Sequence, residues 1–279
     1  MKNNLKNLIE DVYKLIDSGC VPNETNLELL GEHIKQAVIK QLHPDNRQIK
    51  NTLRMSNLGK KDRQLWYELN STEREILEPN TRLKFLFGDI IEGLLLYLVK
   101  EADYEVTNEQ DKVEVDGIVG HIDCKINGVM VDVKSASSFS FKKFKEGTLA
   151  MDDPFGYIAQ ISGYAYAEKC KEAGFLVMDK QLGHITYMEV QDKIDVPARI
   201  KNIKKVIAQP EPPVKKCYDP IADGKSGNKK LAVGCSYCPY KHTCWADAND
   251  GQGLRTFLYS TGPRFLAHVE REPDVYEIS

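Results

Sequence analysis

Two aspartates and a lysine crowd one short stretch, GHIDCKINGVMVDVKSAS at residues 120–137. Asn127-Gly128 is a strong hairpin signal, because both central residues of a type I′ turn take positive φ. A two-residue loop there pairs Ile126 with Val129, Cys124 with Val131 and Asp123 with Asp132. It also sets Lys134 opposite His121, a candidate supporting residue. Side chains alternate across a strand. One face therefore carries Ile122, Cys124, Ile126, Val129, Val131 and Val133, and reads as core. The other carries His121, Asp123, Lys125, Met130, Asp132 and Lys134. Directly opposed like charges, with Cβ atoms about 4.5–5.5 Å apart, are destabilising. A divalent cation between the carboxylates removes that repulsion, because hard cations take carboxylate oxygens. A solvated strand face with ordinary charges is the competing reading.

Other residues could join this chemistry. Glu92 interrupts the apolar run IIEGLLLYLV, and a buried carboxylate needs a partner. The alternative is a wet helix stripe shared with Asp89. Gln160 and Tyr164 lie at i and i+4 on one helix face. A second constellation follows, Cys217 and then C-x2-C-x5-C at Cys235, Cys238 and Cys244. A C-x2-C turn brings two thiolates to one ion, and four cysteines suffice for Zn²⁺ or an iron–sulfur cluster. His242 is a weaker fourth ligand. The string DGKSG at 223–227 lacks the glycine and the strand-to-helix context of a phosphate loop.

These groups need elements to hold them. Two helices joined at Cys20-Val21-Pro22-Asn23 open the chain, and residues 56–70 read as a short helix with Ser56 as its N-cap. An apolar helix spans 82–100. Strands are expected at 104–106, 113–115, 118–126 and 129–135, a helix at 155–172, and strands at 175–179 and 184–190. A basic helix at 198–208 ends at Pro210, Pro212 and Pro213. Residues 249–279 read as a loosely structured tail. Helices around a mixed sheet, with an added cysteine-bearing region, make an α/β protein.

Composition sets the outer limits. The 279 residues are 42% hydrophobic and 28% charged, which excludes a disordered chain and a small cysteine scaffold. No signal peptide or membrane-length apolar run appears, so the reading is a soluble, cytoplasmic protein. Seven cysteines in a reducing compartment favour metal over disulfides. The net charge of −3 argues weakly against nucleic acid. Local charge argues otherwise. Residues 199–230 hold nine basic and three acidic residues, and Lys142, Lys143 and Lys145 follow the hairpin directly. Both stretches suit phosphate contacts.

The motifs taken together resemble the PD-(D/E)XK nuclease superfamily, in its RecB-like branch. GHID at 120–123 resembles the first acidic motif and VDVKS at 131–135 the (D/E)XK motif. QISGY at 160–164 resembles the branch's Q-x-x-x-Y helix, and GDIIE at 88–92 the helix before the sheet, with Glu92 where many members have His. SNLGKKDRQLWY at 56–67 is similar to the branch's N-terminal segment, with Arg63 and Tyr67 in place. The resemblance implies a restriction-endonuclease-like mixed β-sheet core flanked by helices. It implies an N-terminal helical region (1–55), a nuclease core (56–209), a cysteine-cluster region (210–248) and a C-terminal tail (249–279). It implies Mg²⁺ or Mn²⁺ held by Glu92, Asp123, Asp132 and the Val133 carbonyl. Lys134 would act on water or phosphate, Gln160 and Tyr164 would support it, and Arg63, Lys142, Lys143 and Lys145 would contact DNA. The cysteines resemble those of AddB and of CRISPR-associated RecB-like nucleases, which carry a [4Fe–4S] cluster; Zn²⁺ is the rival. Those proteins take their first ligand from the N-terminal segment, where this chain has Lys61, so Cys217 is the natural substitute. The implied activity is DNA exonuclease in recombination, repair or phage DNA processing. A noncatalytic DNA-binding scaffold and an endonuclease are the alternatives.

Overall fold

The computed structural model describes residues 4–43, 52–71 and 79–278. The chain divides into two units, residues 1–59 with 76–200 and residues 60–75 with 201–279. No helix among the described residues is long and apolar enough to cross a membrane.

The first unit is a mixed sheet between helices. Helices α1 (Leu8–Ser18) and α2 (Glu24–Leu42) flank the expected turn, and Asn23 caps α2 by accepting from the Asn26 N–H at 3.1 Å. Helix α3 (Asp62–Asn70) belongs to the second unit, and α4 (Pro79–Glu101) returns to the first. Strands β1 (Val106–Thr107), β2 (Lys112–Val115), β3 (Ile118–His121), β4 (Cys124–Ile126) and β5 (Val129–Ala136) follow. Then come α5 (Ser138–Lys145), α6 (Tyr157–Ala167), β6 (Ala173–Asp179), β7 (Ile185–Glu189) and α7 (Val196–Ile207). The main sheet runs β1-β4-β5-β6-β7, with β5 and β6 parallel and the other pairs antiparallel. Helix α4 packs on one side of β5 and α6 packs against it as well. Leu95, Leu96 and Val99 of α4 close over Cys124, Ile126, Val131 and Val133, the apolar face that alternation predicts.

The hairpin forms in the expected register, with Ile126 opposite Val129 and Cys124 opposite Val131. Asn127 and Gly128 take φ of 51° and 86°, as a type I′ turn requires. The long strand expected at 118–126 is broken, however. β3 leaves the main sheet and pairs with β2, so His121 faces Lys112 rather than Lys134. The break falls at Ile122 and Asp123, where the Ile122 N–H donates to the Asp111 carbonyl and the Gln110 N–H to that of Asp123. The apolar–polar alternation runs straight through the break, so pattern alone does not reveal it.

The 3-10 turn at Met55–Asn57 and α3 replace the single helix expected at 56–70, and Lys61 rather than Ser56 stands at the α3 N-cap. Gly59 meets Gly156 backbone to backbone; a Cβ on either overlaps the other's main chain. Gly59→Ala is therefore expected to lower stability by about 1–3 kcal/mol. An unchanged urea midpoint would show that the two segments do not press together.

The second unit contains strands where a loose tail was expected. Strands β8 (Ile221–Ala222), β9 (Lys229–Lys230), β10 (Arg255–Tyr259), β11 (Gly262–His268) and β12 (Glu277–Ile278) form a sheet in the order β12-β10-β11-β9-β8. β8–β9 and β10–β11 are local hairpins, but β9–β11 and β10–β12 join segments distant in sequence, which local pattern does not register. Asp223, the first residue of DGKSG, is buried and accepts from Arg264 at 2.7 Å and Lys230 at 3.1 Å. That string is a strand tie within this sheet.

Candidate functional site

Strand β5 runs on past β4, so Asp132 to Ala136 have a strand partner on one side only, β6. An open edge leaves backbone donors to be satisfied. Asp123, just beyond the end of β4, supplies the acceptor: its Oδ2 takes the Val133 N–H at 2.7 Å. The break in the predicted strand therefore brings the first aspartate onto the edge of β5, beside the second.

Asp132 is 1% exposed. Lys134 Nζ forms an ion pair with its Oδ2, yet neither carboxylate oxygen receives a hydrogen bond of normal geometry. The solvated-face reading of Asp132 is thereby excluded. Burial is the main cause raising the Asp132 carboxyl above its ordinary value, and Lys134 opposes it. Asp123 is raised well above, first by burial and then by the Asp132 charge. Glu92, from α4, is raised by burial, and it feels Asp89 and Asp132 against the opposing pull of His33 and Lys134. Its Oε1 accepts from Gln110 Nε2 at 2.7 Å. Asp89 is tied separately to α2, by Lys40 at 3.1 Å and Gln41 at 3.0 Å. Three carboxylates thus share one field with one ammonium. Burial works against the Lys134 charge, but the two aspartates outweigh it and hold the lysine above its ordinary range.

Helix α6 lies over the lysine. Asp153 caps it, accepting from the Tyr157 and Ile158 N–H groups at 3.0 and 2.9 Å. Gln160 Nε2 donates to Tyr164 Oη at 3.3 Å. The Tyr164 phenol is pushed up to about 12, chiefly by burial, so it stays protonated. The Tyr157 ring centroid lies 5.3 Å from Lys134 Nζ, a cation–π contact. Sequence reading missed Tyr157, although 157, 160 and 164 follow i, i+3, i+7 spacing on one helix face. His33 and Gln110 were missed too, because nothing local links them to Glu92.

The hard-cation donor set, with no hydrogen bond of normal geometry to the Asp132 oxygens, fits a divalent ion. As they stand, however, no three His, Cys, Asp or Glu side chains among the described residues are grouped as a bound metal needs. Lys134 takes the cation's electrostatic place. Because the carboxyls sit above their ordinary range, the metal-free folded chain holds protons more tightly than the unfolded chain. Their contribution to stability is thus present at low pH and lost as pH rises from about 4 upward. In EDTA this part of the stability should fall with rising pH, and Mn²⁺ is expected to offset the loss. The Mn²⁺-induced rise in Tm should grow with pH; a pH-independent rise counts against a carboxylate site.

The remaining expected residues fall elsewhere. On α5, Lys142 and Lys145 are exposed, while Lys143 is held by Asp152. Arg63, expected at DNA, lies in the second unit and turns into the cysteine cavity. Its Nε–H donates to Cys244 Sγ at 3.1 Å, and Nη1–H to the Pro213 carbonyl at 2.5 Å. Tyr67 accepts from Nη2 at 3.3 Å and stacks on Tyr240.

That cavity, of about 10 Å³, is lined by Cys217, Cys235, Cys238 and Cys244 together. Burial raises the Cys217 thiol, Cys235 to about 11 and Cys238 to about 12. The Trp245 Nε1–H in the same wall has no hydrogen-bond partner of normal geometry, and such donors suit thiolate sulfurs. The four cysteines share one cavity lining and match a soft-metal group by donor chemistry, but they are not grouped as a bound metal needs. His242 is not in the lining; its ring stands edge-on to Phe265.

No family model and no curated protein sequence matches the chain. Solved structures do. A protein designated SSO0001 is 16% identical with a TM-score of 0.42, over 78% of this chain and 95% of that one. The alkaline exonuclease LHK-Exo from Laribacter hongkongensis is 17% identical, TM-score 0.38, over 56% and 84%. A phage-related exonuclease from Haemophilus somnus 129PT is 15% identical, TM-score 0.42, over 56% and 91%.

Proposed function

We propose that the chain is a divalent-metal-dependent deoxyribonuclease of the PD-(D/E)XK type, acting from DNA ends in recombination, repair or phage DNA processing. One observation carries this: a fully buried aspartate without directed hydrogen bonds, beside two further carboxylates and a lysine two residues on. Such an arrangement is costly as structure alone. It makes sense as a place kept for a cation and a phosphate.

Glu92, Asp123, Asp132 and the Val133 carbonyl would hold Mg²⁺ or Mn²⁺, which supplies an activated water and offsets phosphate charge. Lys134 stays protonated beside the aspartates. Its role is therefore to neutralise the scissile phosphate and the charge that develops on it, rather than to take a proton. Tyr157 fixes the ammonium from one side through its ring. Gln160, donating to Tyr164, would support the lysine, and exposed Lys142 and Lys145 would meet backbone phosphates. The four cysteines, with Arg63 as counter-charge, would hold a structural iron–sulfur cluster or Zn²⁺ in the second unit.

The test is cleavage of end-labelled single- and double-stranded DNA and of covalently closed circles, with Mg²⁺ or Mn²⁺. Metal-dependent loss of label from ends alone is expected. Cleavage of circles makes the enzyme an endonuclease, and absence of cleavage on every substrate supports the noncatalytic scaffold.

A further inference from the structure

The loop that leads into β2, Asn108-Glu109-Gln110-Asp111, touches two of the three carboxylate residues of the proposed cation site. Gln110 is exposed, yet it reaches that site twice. Its side-chain Nε2–H donates to Glu92 Oε1 on α4 at 2.7 Å. Its backbone N–H donates to the Asp123 carbonyl at 3.2 Å. One residue thus spans from α4 to the break between β3 and β4, where Asp123 stands.

The neighbours of Gln110 brace it. Glu109 pairs with Lys100 of α4 at 2.7 Å, and the Asp111 carbonyl accepts from the Ile122 N–H at 3.0 Å. Asn108 Nδ2–H donates to Asp111 Oδ2 at 2.7 Å and closes the turn. The Glu109–Lys100 pair already ties the loop to α4, so the Gln110 amide is not needed for that. Gln110 also holds φ at 57°. This left-handed region is uncommon for residues with a Cβ, and Asn or Asp enter it more readily than Gln. Glycine would take the same backbone without strain. A glutamine here is therefore explained by what its side chain holds. An amide donor occupies one acceptor site of a carboxylate and leaves the others to a cation. Hydrogen-bonded partners of this kind orient metal-binding side chains.

We propose that Gln110 is a positioning residue, which holds the Glu92 carboxylate through its side chain and the Asp123 backbone through its N–H, and so sets the spacing of two ligands of one divalent cation. The proposal rests on the cation-site reading of Glu92, Asp123 and Asp132 and gives the loop its part in that site.

Binding of Mn²⁺ alone, read from loss of the free-ion EPR signal, tests it without cleavage. The wild-type chain, Gln110→Gly, Gln110→Ala and Asp132→Ala are titrated, and the Tm of each is measured in EDTA. Both Gln110 variants should weaken Mn²⁺ binding by about 10- to 100-fold. Gln110→Gly should keep its Tm in EDTA, because glycine suits the backbone. Wild-type Mn²⁺ affinity in Gln110→Gly overturns the proposal, whatever Gln110→Ala does, since the amide then contributes nothing. Tighter binding overturns it too, because the amide would then be holding Glu92 off the ion. An affinity loss that comes with a fall in the Gln110→Gly Tm makes the loop a structural tie and also overturns it. If Gln110→Gly binds Mn²⁺ like the wild type while Asp132→Ala does not bind it, the proposal fails and the cation site stands. If the wild type takes up no Mn²⁺, both fall.

Discussion

Asp132→Ala and Lys134→Met should both reduce DNA cleavage by roughly 10²–10³-fold or more, and they should move stability in opposite directions. Asp132 is buried with bare carboxylate oxygens beside Asp123 and Glu92. Removing it relieves repulsion and leaves Lys134 with two carboxylates for company. In EDTA, Tm should hold or rise. Removing the lysine leaves three buried carboxylates without their cation. Breaking a buried pair from one side costs about 3–5 kcal/mol, so Lys134→Met should melt markedly lower in EDTA. Mn²⁺ should restore much of the loss, because it replaces the missing charge. Asp132→Ala should show little Mn²⁺ response. A merely structural ion pair predicts a fall in stability for both variants and no cation rescue; that outcome, or wild-type cleavage by either, removes these residues from the active site.

The second large effect concerns the cysteine cavity. Cys238 is buried in the cavity that Cys217, Cys235 and Cys244 also line, and burial favours its neutral thiol. Binding at such a site is folding free energy, on the order of 10 kcal/mol for structural zinc. Cys238→Ala should therefore lose bound metal and expose the second unit to limited proteolysis. Elemental analysis of anaerobically purified protein reads the first effect directly. Absorbance near roughly 400 nm identifies an iron–sulfur cluster; a colourless sample containing zinc identifies the rival. Protein free of both metals, with an undisturbed Cys238→Ala variant, would make the four cysteines ordinary core.

Much of this site was legible because its key geometry is local. The Asn127-Gly128 turn fixes the register of β4 on β5, and alternation then assigns the faces. The opposed aspartates and Lys134 follow from that register, whereas Gln160 and Tyr164 take their expected role only from the resemblance to the PD-(D/E)XK superfamily. What escaped depends on distant partners. Asp123 reaches β5 because the strand breaks, and the break is made by hydrogen bonds to Gln110 and Asp111. Helix α5 was not expected, because Phe139 and Phe141 alternate like a strand until Phe144 shifts the period. Arg63 sits in an N-terminal motif, yet its donors end on Cys244 and Pro213. No pattern within twelve residues of it contains that information.

The ion pair between Lys134 and Asp132 has a bearing on when the proposed cation site would be filled. A cluster of acids that relied on a metal for neutrality would hinder collapse until the metal arrived. Here the chain brings its own ammonium, so folding and loading become separate events. A newly made chain can reach its native shape in a cell with little free manganese. On the proposed reading the ion would enter later, by exchanging one counter-charge for another.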